Sequence, residues 1–104
     1  EVARENVRVN GVERLVTVLD GEFNSSAINP KSADLVVANI SSVALIDLTS
    51  DAIAVLKWGA HLIGSGFIDE TQESVQSAFA SSHLRTIVVE ADEEWRCIVA
   101  SSIA

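Results

Sequence analysis

The pattern of apolar and polar positions predicts an alternation of strands and helices through most of the chain. Residues 33–40 form an apolar run with little alternation, which is typical of a strand covered on both faces, as in a parallel sheet. Apolar residues recur at helical spacing in residues 42–57 and again in residues 70–80, which predicts two helices. Between these helices, residues 60–66 predict a short strand that ends in a Gly-Ser-Gly turn.

The two ends of the chain add further elements. Residues 2–10 predict the tail of a helix that stops at an Asn-Gly pair, and the β-branched residues 14–19 predict a strand. Residues 22–32 predict either a long loop or a loop with one short helical turn. Residues 84–90 and 95–100 are two β-rich runs at hairpin spacing, and we expect them to pair antiparallel.

Polar residues follow two of the predicted strands at the positions where open α/β sheets bind ligands. Asn39 ends the first of these strands, and the next strand ends in Ser65 and Gly66. Ligands of such sheets lie outside the carboxyl ends of the strands, which favours a functional site here. Asn39 is equally suited to cap the following helix, and the Ser-Gly pair is equally suited to a tight turn.

Composition limits the partners. At 104 residues the chain is expected to form one domain, residues 1–104. Fifteen acidic and seven basic residues give a net charge of −8, which argues against direct nucleic-acid binding. The charge leaves room for a basic protein partner, although many soluble enzymes are equally acidic. No apolar run is long enough to cross a membrane. The single cysteine fits a reducing compartment such as the cytoplasm, and the scattered His and Cys residues predict no metal site.

Four short stretches resemble one enzyme family in their order and spacing. They are Ala3-Arg4-Glu5-Asn6 with Asn10-Gly11-Val12, Asp34-Leu35-Val36-Val37-Ala38-Asn39-Ile40, Ser65-Gly66, and Glu93-Glu94-Trp95. The family is protein methyltransferase A, whose members are class I S-adenosylmethionine-dependent enzymes. They methylate the eleventh protein of the large ribosomal subunit on lysine and α-amino groups. The chain departs from the family pattern at Ser41, at Gly64, and at Lys57-Trp58-Gly59-Ala60, where Lys-Pro-Gly-Gly is usual.

The resemblance implies a partial Rossmann-like methyltransferase fold, with a mostly parallel sheet that ends in an antiparallel hairpin. It also implies that the chain is the C-terminal part of a catalytic domain, because the family's first two strands and Gly-rich cofactor turn are absent. The first residues, which include neither Met nor a basic leader, also predict a fragment. We therefore expect the isolated chain to be inactive. The strand predicted for residues 14–19 has then lost its neighbour and either stays loose or pairs beside residues 35–38.

The resemblance also assigns roles to individual residues. It implies that Asn39 contacts S-adenosylmethionine and takes part in catalysis. Asp20 follows a predicted strand and is expected either near the adenine amino group or in a solvated turn. Ser65 and Gly66 are expected to line the substrate channel. Trp95 is expected to pack under the sheet, and Cys97 to be a small buried hydrophobic residue.

Two other functions fit the same residues. One is a related methyltransferase that acts on another protein or on a small molecule. The other is a non-catalytic α/β module whose exposed sheet edge pairs with a partner chain.

Overall fold

The computed structural model describes residues 1–19, 23 and 25–103. Within these residues the chain forms four α-helices, one 3-10 turn and four β-strands. The helices are α1 (Val2–Val9), α2 (Ser42–Asp47), α3 (Thr49–Val55) and α4 (Asp69–Ser81), and the 3-10 turn is Ser25–Ala27. The strands are β1 (Ala33–Asn39), β2 (Leu56–Ile68), β3 (Leu84–Asp92) and β4 (Trp95–Ser102).

The described strands form one mixed sheet in the order β1-β2-β4-β3. β1 and β2 pair in parallel, whereas β4 pairs antiparallel with both β2 and β3. The predicted terminal hairpin is therefore confirmed. The prediction of a mostly parallel sheet is wrong for the described residues, because β4 returns through a tight turn and inserts between β2 and β3, so both of its pairings are antiparallel.

The core lies between one face of this sheet and the helices α2, α3 and α4. Alternate residues of the strands point toward the helices, as the two-residue period of a strand requires. The buried apolar residues that fill this layer include Leu62, Phe67, Ile98 and Ala100 from the strands and Leu45, Val55, Val75 and Phe79 from the helices. This packing fixes the helix-connected strands relative to one another, and with them the edge at which their carboxyl ends meet.

The opposite face of β1 is open within the described residues. Leu35 is 51% exposed and Val37 is 64% exposed, although both belong to the apolar run that predicts the strand. The strand itself is confirmed, but the expectation that it is covered on both faces is wrong for the described chain. These side chains alternate away from the helices, and nothing in the described residues buries them.

The helix predicted for residues 42–57 is divided into two shorter helices. Ser41 caps α2, and the break falls at Leu48, where the Thr49 hydroxyl donates a hydrogen bond to the Ile46 carbonyl at 2.9 Å. α3 ends at Val55 because Leu56 is extended and pairs with Ala33. The last predicted helical residues therefore belong to a strand.

The loop before β1 is tied to the end of α3. The backbone N–H groups of Lys31 and Ser32 donate to the carbonyls of Ala54 and Val55 at 3.0 and 2.9 Å. The Lys31 ammonium donates to the Ile53 carbonyl at 2.9 Å. These carbonyls lack partners within the helix, and a cation at a helix C-terminus is favourable. The loop contains the 3-10 turn, as the second of the two alternatives for residues 22–32 predicts.

Residues 14–19 do not form the predicted strand. The backbone N–H groups of Leu15 and Val16 both bond to the Val12 carbonyl at 2.9 Å, which makes a turn, and residues 16–19 have no regular structure. Leu15 is 83% exposed and Leu19 is 59% exposed. A β-branched run becomes a strand only when a neighbouring strand pairs with it, and no described strand does. Of the two alternatives for residues 14–19, the segment therefore stays loose and does not pair beside residues 35–38.

Candidate active site

Asn39 lies at the carboxyl end of β1, directly opposite Ser65 of β2. The Ile40 N–H donates to the Ser65 carbonyl at 3.0 Å, which continues the parallel ladder one residue beyond β1. The two strands therefore bring Asn39 and Ser65 to the same edge of the sheet. This is the edge at which open α/β sheets bind ligands, as the sequence predicts.

Gly66 approaches Asn39 and Ile40 too closely for any side chain. Its φ is +93°, a conformation that L-residues rarely adopt. A β-carbon built on Gly66 would lie 2.5 Å from the Ile40 carbonyl oxygen and 2.8 Å from Oδ1 of Asn39. The glycine thus allows β2 to pass directly beside the Asn39 amide. All three residues predicted at this edge, Asn39, Ser65 and Gly66, lie together.

Asn39 does not cap the following helix. The cap is Ser41, whose Oγ accepts a hydrogen bond from the Ala44 N–H at 3.3 Å. The Asn39 side chain is exposed and makes no hydrogen bond to another residue within the part of the chain that the structure describes. Its amide therefore presents an oxygen acceptor and an NH₂ donor to a ligand at this edge.

A groove of about 340 Å³ runs from Asn39, Ser65 and Gly66 toward the β3–β4 hairpin. Cys97 of β4 lies opposite Ser65 on one side and Glu90 of β3 on the other, so these residues form one row across the sheet. Cys97 is half-buried and lines the groove rather than filling the core. The groove is therefore built from all four strands.

Trp95 forms one wall of this groove, which corrects the expectation that it packs under the sheet. Its side chain is 54% exposed. Trp95 opens β4 and pairs with Ile68 at the end of β2 and with Asp92 at the end of β3. Because β4 runs antiparallel to β2, its first residues lie at the edge where β2 ends.

The hairpin turn beside Trp95 is fastened to α4. The Asp69 N–H at the start of α4 donates to the Glu94 carbonyl at 2.8 Å. The Arg96 guanidinium donates to the Glu93 carbonyl at 2.7 Å and to Oε1 of Gln72 at 3.0 Å. These bonds join the turn to a packed helix, so Trp95 is held on a fixed support.

A second groove, of about 630 Å³, follows the unpaired edge of β1. Val36, Ile40 and Leu48 give it an apolar wall, and Asp47 and Asp51 lie among its polar residues. Asn39 is the residue that lines both grooves.

Three further expectations from the sequence concern Asp20, a metal site and a membrane-spanning segment. Asp20 lies outside the described residues. Among the residues that are described, no three His, Cys, Asp or Glu side chains come together as a metal site. No helix in this part of the chain is long and apolar enough to cross a membrane.

Sequence reasoning missed the six groove residues of the β3–β4 hairpin: Glu90, Ala91, Asp92, Trp95, Arg96 and Cys97. The acidic run beside the turn fits a solvated hairpin, and a large aromatic residue at the start of a strand more often packs against the sheet. The useful signal was the predicted antiparallel hairpin. An antiparallel last strand places its first residues, and the last residues of its partner, at the carboxyl edge of the parallel strands.

The chain matches the family model described as ribosomal protein L11 methyltransferase (PrmA) over residues 1–102. It is 37% identical over 99 residues to the ribosomal protein L11 methyltransferase of Geobacter sulfurreducens, covering 94% of this chain and 31% of that protein. It is 36% identical over 98 residues to the enzyme of the same name from Alkaliphilus oremlandii, again covering 94% and 31%. The chain thus spans about a third of the length of these curated relatives.

Solved structures share the fold. A ribosomal protein L11 methylase from Lactobacillus delbrueckii subsp. bulgaricus superimposes with a TM-score of 0.77 at 22% identity, covering 98% of this chain and 51% of that one. A 16S rRNA methyltransferase from T. thermophilus, solved in complex with AdoMet and guanosine, gives a TM-score of 0.59 at 18% identity, covering 77% and 23%. These likenesses show that the chain has the fold of methyltransferase domains.

Proposed function

This chain belongs to the ribosomal protein L11 methyltransferase (PrmA) family, and from that premise we propose that it is part of an S-adenosylmethionine-dependent protein methyltransferase. The proposed substrate is ribosomal protein L11, modified in the cytoplasm on lysine and α-amino groups. The observation that carries the proposal is the position of the Asn39 amide at the carboxyl edge of β1, beside Ser65 and Gly66. Within the described residues this amide makes no hydrogen bond to another residue. The named activity of the curated relatives supports the same reaction, and the AdoMet in the T. thermophilus structure supports the same cofactor.

The residues at this edge fit the chemistry of the cofactor. When bound, S-adenosylmethionine supplies a methyl group on a positively charged sulfur, whose charge activates the methyl carbon toward a nucleophile. The Asn39 amide oxygen is suited to accept a hydrogen bond from an ammonium group or an amine. The absence of a side chain at Gly66 leaves the room that the Asn39 amide and the Ile40 backbone occupy at this edge.

Asn39 is proposed to orient the target amine. A lysine must lose a proton before it can react, because an ammonium has no lone pair to give. When the amide oxygen of Asn39 accepts one N–H of the neutral amine, it would fix the orientation of the nitrogen lone pair, and the bound cofactor would supply the methyl group. Ser65 and Gly66 are proposed to line the channel through which the amine enters. Such alignment is the main contribution that a protein makes to this kind of displacement.

Asp20 is proposed to accept a hydrogen bond from the adenine amino group. The support for this assignment is its place in the sequence, shortly after residues 14–19, where methyltransferases often carry an acidic residue. A carboxylate accepts such a bond strongly because it is charged.

We expect replacement of Asn39 by alanine to lower the rate of methyl transfer. Loss of one oriented hydrogen bond corresponds to a decrease of about tenfold or more in kcat/KM. The measurement is incorporation of radiolabelled methyl groups from S-adenosylmethionine into purified ribosomal protein L11 by the full-length protein. Asn10→Ala is the matched control, since among the described residues that exposed side chain donates only to the Asn6 carbonyl at the end of α1. Equal rates for Asn39→Ala and the wild type would contradict the assignment.

The chain is proposed to be the C-terminal part of the catalytic domain, with the cofactor-binding first strands supplied by sequence that precedes it. Two observations support this. The chain covers 31% of its curated relatives, and the open side of β1 exposes Leu35 and Val37, which a further layer would bury. On this proposal an upstream strand pairs with the unpaired edge of β1.

Hydrogen–deuterium exchange tests this arrangement. We expect the backbone amides of Leu35 and Val37 to exchange at least about tenfold more slowly in the full-length protein than in the isolated chain. The N–H groups of these alternate residues face away from β2, so a new partner strand would protect them. β4 provides the internal control, since it already lies between two strands and should be protected in both samples. Equal exchange of the Leu35 and Val37 amides in both samples, with β4 protected in both, would mean that no upstream strand pairs with β1.

The unpaired edge of β1 also favours a second candidate function, a non-catalytic interaction module. An exposed strand edge with apolar side chains is a template for a strand from another protein. On this alternative the full-length protein transfers no methyl group, and a strand of a partner chain rather than an upstream strand pairs with the edge of β1. The methyl-transfer measurement above separates the two functions.

A further inference from the structure

The groove wall at the β3–β4 hairpin combines an exposed indole with carboxylates. Trp95 is 54% exposed, and the Arg96 and Asp69 hydrogen bonds to the turn hold its backbone in place. Glu90 and Asp92 line the same groove, and Asp92 is the direct cross-strand partner of Trp95. An aromatic face and negative charges on a fixed support are the features that bind organic cations.

The carboxylates of Glu90 and Asp92 are not neutralised by Arg96, the basic residue that lines the groove. Neither Glu90 nor Asp92 forms an ion pair within the described residues. Arg96, the one basic residue lining this groove, directs its guanidinium to the carbonyls of Glu93 and Trp95 and to Gln72. The hairpin end of the groove therefore carries net negative charge, on a chain whose total charge is −8.

Strand spacing separates two positions within the groove. Asn39, Ser65, Cys97 and Glu90 lie in one row across four neighbouring strands. At about 4.8 Å per strand, the backbone of Glu90 is roughly 14 Å from that of Asn39. Trp95 is one strand nearer but lies two residues from Cys97 along β4, so its backbone is roughly 12 Å from that of Asn39. The carboxylates are thus too distant to hold a nitrogen that lies against Asn39, whereas the indole spans part of the gap.

We propose that this groove binds a basic segment of the protein substrate in two places, an inference that rests on the proposed function. Trp95 packs against the alkyl stem of the target lysine while Asn39 orients its neutral nitrogen. Glu90 and Asp92 pair with a second basic side chain near the target in the substrate. Because the carboxylates lie away from the reacting nitrogen, they attract the substrate without holding the target amine in its protonated form.

The test uses the full-length protein, purified ribosomal protein L11 as substrate, and three measurements: KM for L11, kcat, and the Kd of S-adenosylmethionine. Trp95→Ala is expected to raise the KM for L11 about tenfold. The double variant Glu90→Gln/Asp92→Asn is expected to raise KM severalfold at low salt, and the difference should shrink at high salt as the charges are screened. The Kd of S-adenosylmethionine should stay unchanged in both.

Matched controls are present in the chain. Trp58 is 74% exposed but lies near the start of β2, away from the groove, so Trp58→Ala should leave KM unchanged. Glu70 and Glu73 are exposed on α4 and lie outside the groove. The variant Glu70→Gln/Glu73→Gln removes two negative charges, as the carboxylate variant of the groove does, and is expected to leave KM unchanged. Trp95→Phe, which keeps an aromatic face, is expected to give a KM between those of the wild type and Trp95→Ala.

The possible results distinguish failure of the proposed substrate-binding subsite in this groove from failure of the proposed methyltransferase function. An active wild type whose KM for L11 is unchanged in both Trp95→Ala and the carboxylate variant overturns the subsite alone. An equal rise in KM for the groove variants and their controls also overturns it. A wild-type protein that neither binds S-adenosylmethionine nor transfers methyl groups overturns the proposed function, and the subsite falls with it.

Discussion

Replacing Gly66 with alanine is expected to destabilise the protein strongly and to abolish methyl transfer. The new methyl group would lie 2.5 Å from the Ile40 carbonyl oxygen and 2.9 Å from the Ile40 nitrogen, so β1 and β2 must move apart. A left-handed conformation for alanine and the overpacking together amount to about 2–5 kcal/mol in the free energy of unfolding. The displacement also moves Asn39, whose Oδ1 lies 2.8 Å from the added atom. Denaturant unfolding and methyl incorporation by the full-length protein measure the two effects.

Gly59→Ala is a control that measures the cost of the left-handed backbone conformation without the steric clash expected for Gly66→Ala. Its φ is +77°, but a β-carbon there meets nothing within 4 Å. Gly59→Ala is therefore expected to lower the free energy of unfolding by only about 1–2 kcal/mol and to leave methyl transfer intact. If Gly66→Ala were no more harmful than Gly59→Ala, the close approach of β2 to Asn39 would not matter to the site.

Truncation of Phe79 is expected to produce the largest loss of stability. Phe79 is fully buried on the sheet-facing side of α4. Phe79→Ala leaves a cavity in a close-packed layer and should lower the free energy of unfolding by about 3–5 kcal/mol. This is a large share of the roughly 5–15 kcal/mol that stabilises an ordinary domain. Denaturant unfolding followed by tryptophan fluorescence measures the change.

Phe23 offers the same chemical change at a surface position. It is 37% exposed and lines the groove along β1, so Phe23→Ala should cost much less than Phe79→Ala. Phe79→Leu, which keeps most of the side-chain volume, should lie between them. Similar losses for Phe23→Ala and Phe79→Ala would contradict the placement of the core between the sheet and α4.

The elements that sequence predicts well are those whose pattern is complete within a short segment. α4 and the β3–β4 hairpin carry their own helical period, acidic first turn and turn residues, so neighbours are not needed to recognise them. The grouping of Asn39 with Ser65 and Gly66 followed from one rule, that parallel strands end at the same edge.

The failures depend on partners that lie far away in the sequence. Residues 14–19 have strand composition, but a strand exists only with a neighbour to pair with. Leu56 ends α3 because it pairs with Ala33, a contact that no local pattern reveals. Trp95 lies on the groove because β4 inserts antiparallel beside β2, and this decides which edge its first residue reaches.

The most direct test of the account is a calorimetric titration with S-adenosylmethionine. We expect the full-length protein to bind the cofactor, Asn39→Ala to bind about tenfold more weakly, and the isolated 104-residue chain to show no measurable binding. That pattern places the Asn39 amide in the cofactor site of a methyltransferase whose remaining contacts come from preceding sequence. An Asn39→Ala variant that binds as tightly as the wild type, or a full-length protein that does not bind at all, would contradict it.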